Sequence, residues 1–157
     1  MLDNELIENA MRLAVSEAEF AVSEGNPPFG AVLLDQDGHV AASGHNTQKS
    51  TTDPAAHAEI NVLRLAGNAF GRLKFPGFTM VGNAEPCAGC ASFCIKSEIR
   101  SLVYGTDAEQ SMEPWMRVAD IAAAARNGFV ELAGGVLLPE CTKVLVEGRA
   151  TLAARAD

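Results

Sequence analysis

Residues 77–106, GFTMVGNAEPCAGCASFCIKSEIRSLVYGT, decide the fold class of this chain. The segment 77–83 predicts a buried strand, 86–99 predicts a helix, and 100–106 predicts a second strand. The helix is expected to begin at Pro86, because proline is tolerated in the first helical turn. A strand, a helix and a strand in this order are typical of two parallel neighbours in one sheet.

Working outward, the same alternation continues, and the N-terminal part adds a hairpin. The other predicted elements are helices over about 3–24, 54–67, 117–127 and 139–154, and strands at 29–35, 39–46 and 128–134. We therefore expect an α/β fold, a three-layer α/β/α sandwich with a mixed five-stranded sheet whose hairpin is antiparallel and whose later strands are parallel. At 157 residues, the chain is expected to form one domain, 1–157.

Composition limits the classes of partner. Twelve basic against twenty acidic residues give a formal charge of -8, which disfavours a large nucleic-acid partner, although a local basic patch could escape this count. The N-terminus lacks the basic start and apolar run of a signal peptide, and no segment is apolar enough to span a membrane. We expect cytoplasmic residence, where the four cysteines stay reduced and serve as metal ligands, catalytic groups or core residues.

Two short motifs carry the chemistry. His57 and Glu59 are two positions apart, about 200° around a helix, so they can flank one ligand only at a helix terminus. Cys87 and Cys90 are three positions apart and adjacent on one helical face, where a helix N-terminus favours thiolates. If both helices follow parallel strands, their N-termini meet at the carboxyl edge of the sheet.

This arrangement predicts one catalytic zinc ion. Three ligands, His57, Cys87 and Cys90, leave the fourth tetrahedral position open for a water molecule whose pKa the metal lowers. Glu59, which is not a ligand, would take a proton from that water and return it to a ring nitrogen and a departing amine. His-x-Glu followed by Pro-Cys-x-x-Cys is the known signature of zinc-dependent nucleobase deaminases.

The chain resembles the cytidine and deoxycytidylate deaminase superfamily, in the branch of guanine, cytosine and tRNA adenosine deaminases. The matching motifs, in order, are PFGAVLLD (28–35), GHN (44–46), DPAAHAEI (53–60), EPCAGC (85–90) and GGVLLPEC (134–141). The resemblance implies a cytidine deaminase-like fold, one Zn²⁺ per chain and a homodimer. It also implies substrate contacts from Asn46, from the Phe29 ring and from the Ala58 backbone amide. We expect Pro86 and Trp115 as further substrate-binding residues.

Two segments depart from these relatives. Ser92 and Phe93 replace the Gly and Ala that commonly follow the second cysteine, and TDAEQSMEPWMR (106–117) lacks the lid sequence of guanine or tRNA enzymes. Trp115 is therefore either a packed anchor or part of a lid over the pocket. Asp107, Glu109 and Glu113 are either solvated charges or hydrogen-bond acceptors for the substrate.

Structural alternatives exist for the other residues. Cys87 and Cys90 alone could form a redox pair, but that would leave His57 and Glu59 unexplained. Cys94 would make a four-ligand structural zinc site, but it lies about 6 Å further along the helix. Cys94 and Cys141 are therefore expected in the core.

Residues near the expected base also have alternative positions. Phe29 could be a core residue instead of a ring contact. Strand alternation places His45 on the face opposite Asn46.

The sequence hypothesis is a zinc-dependent aminohydrolase. We expect hydrolytic deamination of a free nucleobase or related aminated heterocycle, guanine-like or cytosine-like, with Glu59 as the proton shuttle. The PFG motif and the charge of -8 favour a small-molecule substrate. The alternative is a tRNA-specific adenosine deaminase, and a third hypothesis is a non-catalytic zinc-binding module.

Overall fold

Five strands form one mixed sheet in the computed structural model, which describes residues 2–107 and 116–156. The strands are β1 (Gly30–Leu34), β2 (Val40–His45), β3 (Thr79–Ala84), β4 (Ser101–Thr106) and β5 (Glu131–Ala133), and their spatial order is β2-β1-β3-β4-β5. Strand β1 is antiparallel to β2 and β3, whereas β3, β4 and β5 run parallel. The predicted mixed sheet is confirmed.

Helices cover both faces of this sheet. They are α1 (Asn4–Ser23), α2 (Gln48–Thr51), α3 (Ala58–Phe70), α4 (Ala88–Lys96), α5 (Val118–Ala124) and α6 (Leu138–Ala156). One core joins α1 and α6 to Val32 and Val81, and the other joins α3, α4 and α5 to Leu33 and Met80. Alternate residues of β1 and β3 thus enter opposite cores, which confirms the three-layer sandwich.

The two helices of the zinc motifs begin later than predicted. Residues 53–56 form a turn in which the Asp53 carboxylate accepts the Ala55 N–H (2.9 Å) and the Asp53 carbonyl accepts the Ala56 N–H (3.1 Å). Helix α3 starts only at Ala58, and α4 starts at Ala88 instead of Pro86. Both prolines precede their helices, so the predicted starts at these prolines are wrong.

A short helix, α2, lies in a segment for which the sequence predicts no helix. Its N-terminal amides are capped from a distance, because the Asn26 Oδ1 accepts the N–H groups of Lys49 (3.0 Å) and Ser50 (2.9 Å). Asn26 is fully buried and follows α1 by only a few residues. Tertiary contact therefore holds this four-residue helix beside the end of β2.

Helix α1 packs directly on β1 because position 30 carries no side chain. A Cβ atom at Gly30 would lie 2.1 Å from the carbonyl oxygen of Ala14 and 2.7 Å from the nitrogen of Ala18. The close approach fixes the PFG segment (28–30) between α1 and the sheet.

The composition-based expectations are met in part. Cys94 and Cys141 are free thiols buried in the core, as predicted. None of the helices within residues 2–107 and 116–156 is long and apolar enough to cross a lipid bilayer.

Candidate zinc and catalytic site

Two helix N-termini meet at one point near the ends of the strands. His57 is the N-cap residue of α3 and Cys87 is the N-cap residue of α4, each with an extended backbone. Their carbonyl groups accept the first helical N–H groups, from Asn61 and Ala91, each at 2.9 Å. The side chains of the two caps therefore face each other at the helix entrances. Cys90 joins them from the first turn of α4.

The three side chains have the spacing that zinc requires. The Nδ1 atom of His57 lies 3.6 Å from the Sγ of Cys87 and 3.5 Å from the Sγ of Cys90, and all three ligand atoms lie within 4.8 Å of one another. Tetrahedral zinc, with bonds of about 2.0–2.1 Å to nitrogen and about 2.3 Å to sulfur, would separate these atoms by about 3.6 Å. The donor set therefore fits a zinc ion, with His57, Cys87 and Cys90 as its holders.

The two thiols are electrostatically unequal. A hydrogen bond with Cys90 lowers the pKa of Cys87 to about 4, and the neighbouring His57 adds to the effect. The same hydrogen bond and burial raise the pKa of Cys90. The Cys87 thiol therefore ionises more readily than the Cys90 thiol, and metal binding would release the protons that the two thiols still carry.

Glu59 lies beside the cluster without belonging to it. It is the second residue of α3, and its carboxyl group lines the same cavity as His57. Burial raises its pKa, and Cys87 raises it further through charge repulsion. A carboxyl group whose pKa is raised is suited to both accepting and returning a proton. The awkward spacing of His57 and Glu59 is thus resolved, because one caps the helix and the other lies inside it.

The cavity at this site is small, about 40 Å³, which is enough for about one water molecule. Its lining residues are Phe29, Gly30, Asn46, Gln48, His57, Ala58, Glu59, Asn83, Ala84, Glu85 and Cys87. Phe29, Asn46 and Ala58 therefore line the cavity, and their contacts with a substrate stay predictions. Pro86 is buried but does not line this cavity. Trp115, Glu109 and Glu113 lie outside the described residues, so their roles stay predictions.

Asn46 is a buried residue in the wall of the cavity. It is 1% exposed, and its backbone N–H donates to the Phe29 carbonyl at 2.9 Å. His45 points the other way and bonds Glu17 on α1 through Nδ1 at 2.7 Å. The predicted placement of these two neighbours on opposite faces is confirmed.

Asn83 and Glu85 are site residues that the sequence did not indicate. Buried Asn83 accepts the Gly30 N–H (2.8 Å) and donates to the Pro28 carbonyl (3.0 Å), which fixes the loop that carries Phe29. For Asn83, a polar residue in an apolar strand was the available signal.

Glu85 is equally buried and anchors the entrance of α5. Its carboxylate accepts the Val118 N–H at 2.8 Å and pairs with the Arg117 guanidinium at 3.0 Å. The residue before Pro86 thus ties the start of the cysteine motif to a helix more than thirty positions away.

A larger groove of about 700 Å³ runs outside the site between α3 and α4. It shares His57, Cys87 and Cys90 with the metal cluster, and Arg64 and Arg72 line it as well. Phe93, one of the two departures from the relatives, lies in this groove with half its surface exposed. His57 and Cys87 therefore border both the inner cavity and this groove.

Comparisons with known proteins agree with this geometry. Residues 4–106 match the family model of the cytidine and deoxycytidylate deaminase zinc-binding region. A tRNA-specific adenosine deaminase of Haemophilus influenzae is 32% identical over 90% of this chain and 82% of that protein.

Solved structures of two kinds of deaminase are also similar. A tRNA:A34 deaminase has a TM-score of 0.76 at 30% identity, covering 87% of this chain and 99% of that chain. A guanine deaminase of Bacillus subtilis has a TM-score of 0.63 at 26% identity, covering 79% of this chain and 83% of that chain.

Proposed function

Because this chain belongs to the cytidine and deoxycytidylate deaminase family, a family of zinc-dependent hydrolytic deaminases, we propose that its substrate is an adenosine in tRNA. The hydrolytic reaction would replace the exocyclic amine by oxygen and release ammonia. This reverses the order of the two substrate hypotheses drawn from the sequence, which placed a free base first. The observation that carries the proposal is the similarity over nearly the whole chain to a tRNA-specific adenosine deaminase.

The charge distribution supports a nucleic-acid substrate more than the net charge does. Residues 48–100, which contain both zinc motifs, hold six of the twelve basic residues but only four of the twenty acidic ones. Two of those four, Glu59 and Glu85, line the cavity, whereas Arg64 and Arg72 line the outer groove. The acidic excess thus lies outside this segment, and the site itself lies beside positive charge that could contact phosphates.

The inner cavity and the outer groove together also suit a base that is part of a polynucleotide. The inner cavity is lined by Glu59 and by the metal-site residues His57 and Cys87, with Phe29 and Asn46 in the same lining. The ring of the substrate would lie beside Phe29 and Asn46, and the attached backbone would continue over the surface. The groove between α3 and α4, about 700 Å³ in volume, would accept neighbouring nucleotides.

Each residue has a defined part in the reaction. His57, Cys87 and Cys90 would hold zinc, which supplies a Lewis acid and lowers the pKa of water. Glu59 would take one proton from water and deliver it to a ring nitrogen, then pass a second proton to the leaving amine. Asn46 would orient the ring through its side-chain amide.

The test is direct product analysis. Purified protein is incubated with a full set of tRNAs and, separately, with free adenine, guanine and cytosine, and inosine and ammonia are measured. The proposal predicts inosine in tRNA and at most slow ammonia release from free bases. Ammonia from a free base without inosine in tRNA would contradict it.

A substitution at Arg64 in the outer groove tests the same proposal electrostatically. Arg64→Gln should weaken tRNA binding and reduce the slope of log affinity against log salt by about one. Arg12→Gln is the matched control, because both arginines are half exposed and each forms one surface ion pair, to Asp53 and Glu8 respectively. Equal effects of the two substitutions would contradict a role for this groove.

The second candidate is deamination of a free purine or pyrimidine. The PFG motif and the charge of -8 favour it, and so does the similarity to a guanine deaminase. A panel of aminated heterocycles, read by ammonia release, identifies such a substrate. A non-catalytic module would release none from either substrate class. The homodimer, the cytoplasmic location and the single-domain organisation stay predictions.

A further inference from the structure

Gln48 forms a closed hydrogen-bonded ring with the residue expected to recognise the base. Its backbone N–H donates to Asn46 Oδ1 at 2.9 Å, and its side-chain Oε1 accepts from Asn46 Nδ2 at 2.7 Å. Its Nε2 donates to the Pro54 carbonyl at 3.0 Å. Gln48 itself lines the cavity, half-buried, at the start of α2.

This ring admits only one orientation of both amides. A peptide N–H can only donate, so Asn46 must turn its oxygen towards the backbone of Gln48 and its NH₂ group towards the side chain. The Gln48 side chain must then use its oxygen for Asn46 and its nitrogen for the Pro54 carbonyl. Flipping either amide would oppose two donors or two acceptors, at a cost close to that of losing a hydrogen bond.

The ring determines what Asn46 offers to a ligand. An amide side chain has two N–H donors and an oxygen with two lone pairs, and Gln48 occupies one of each. One N–H and one lone pair of Asn46 remain for the cavity, in a fixed order. A substrate base that carries a hydrogen-bond acceptor beside a donor on one edge would match this N–H and lone pair in only one orientation.

Gln48 also connects base recognition to the metal. The Pro54 carbonyl belongs to the turn that leads into His57, and the Thr47 N–H donates to the Ala56 carbonyl in the same turn at 3.0 Å. Asn46 and the loop that carries His57 are thus joined through one side chain. Loss of that side chain would free the NH₂ group of the Asn46 amide, whereas the backbone bond from Thr47 to Ala56 would still hold the turn before His57.

We propose that Gln48 is a positioning residue that sets the orientation of the Asn46 amide and thereby the way in which the substrate ring is read. The proposal rests on the proposed function for the identity of the substrate, but not for the orientation of Asn46. Three variants separate the contacts of Gln48. Gln48→Ala removes both side-chain hydrogen bonds, whereas Gln48→Glu keeps the acceptor for Asn46 but loses the donor to Pro54. Thr51→Ala is the control in the same helix, because its hydroxyl bonds only Thr47 among the contacts described.

The first readout needs no substrate. The NH₂ group of Asn46, assigned by comparison with Asn46→Asp, is followed by amide hydrogen exchange in the zinc-loaded protein. We expect its protection to be lost in Gln48→Ala and retained in Gln48→Glu and Thr51→Ala. Equal protection in all variants would overturn the proposal, even if the enzyme deaminates tRNA as expected.

The second readout uses whichever substrate the product analysis identifies. Gln48→Ala should raise KM about fivefold, the effect of one net hydrogen bond, while kcat changes less than twofold. Gln48→Glu should restore KM towards the original value, and Thr51→Ala should leave it unchanged. A fall in kcat without a change in KM, or no rescue by Gln48→Glu, would contradict the proposal. Deamination of a free base instead of tRNA would overturn only the proposed function.

Discussion

His57 and Cys87 occupy equivalent positions on two different helices. Each is an N-cap residue, with φ of -70° and -66° and ψ of 158° and 166°, and their Nδ1 and Sγ atoms lie 3.6 Å apart. The extended cap conformation directs each side chain out of its helix, which allows two helix entrances to share one ion. Glu59 and Cys90 then follow from within the first turns, on the inner side of the same site.

Zinc content should depend on Cys87 but not on Cys94. Cys87→Ser removes one of three ligands, so we expect it to lose most of the metal, whereas Cys94→Ala, one turn further along α4, should retain one zinc per chain. Plasma mass spectrometry of the purified variants measures this. Loss of zinc from Cys94→Ala would indicate a four-ligand structural site instead.

Gly30→Ala should destabilise the protein by about 2 kcal/mol. The added methyl group would meet the Ala14 carbonyl of α1, and packed backbone cannot yield as a flexible side chain can. Gly67→Ala is the matched control, because a Cβ there would make only an ordinary contact, 3.5 Å from the Arg72 carbonyl oxygen. Urea unfolding should show the control unchanged or slightly more stable. Equal midpoints for both variants would contradict the packing of α1 on β1.

Glu85→Gln should lower stability by about 2 kcal/mol, since it breaks a buried ion pair with Arg117 and leaves that charge without its partner. Half-exposed Arg117 can still reach water, which keeps the loss below that of a fully buried pair. Glu98→Gln, which removes an exposed pair with Lys74, should cost less than about 1 kcal/mol. Urea unfolding of both variants measures the two losses of stability. A larger loss for Glu98→Gln than for Glu85→Gln would contradict the role of the Glu85–Arg117 pair.

The free energy of unfolding should fall as pH rises above neutrality, because His45 then loses its proton. Burial disfavours its charged form, but hydrogen bonds to Glu17 and Glu24 outweigh burial and raise its pKa above 6.5. A raised pKa in the folded state means that the stabilisation is complete below about pH 6.5 and is lost as pH rises through the folded value. Melting temperatures of the original protein and His45→Gln should therefore differ more at pH 6 than at pH 9. A constant difference would contradict the prediction.

The parts of the site that depend on local spacing were predictable from sequence. His57, Glu59, Cys87 and Cys90 lie in two short motifs, and the geometry of a helix terminus alone determines how they face a ligand. The mixed sheet was predictable for a related reason, since hydrophobic periodicity and turn residues are local signals.

The parts of the structure that depend on distant partners were not predictable from sequence. Helix α2 exists because Asn26 caps it from across the chain, and the role of Glu85 depends on Arg117, so neither has a signature in its own segment. The helix starts were misplaced because Asp53 stabilises a turn after which α3 can begin only at Ala58. In α3 and α4 the proline lies shortly before the helix, and the helix begins directly after its N-cap residue, His57 or Cys87.

The most direct test of the account is Glu59→Gln, measured for zinc content and deamination together. Because Glu59 lies in the cavity beside the three ligands, we predict one zinc per chain, an unchanged melting temperature within about 2 °C, and a loss of kcat of at least a hundredfold. Full activity of this variant would contradict the proton-transfer role of Glu59. Loss of zinc together with the activity would show that Glu59 is a ligand and that the mechanism is wrong.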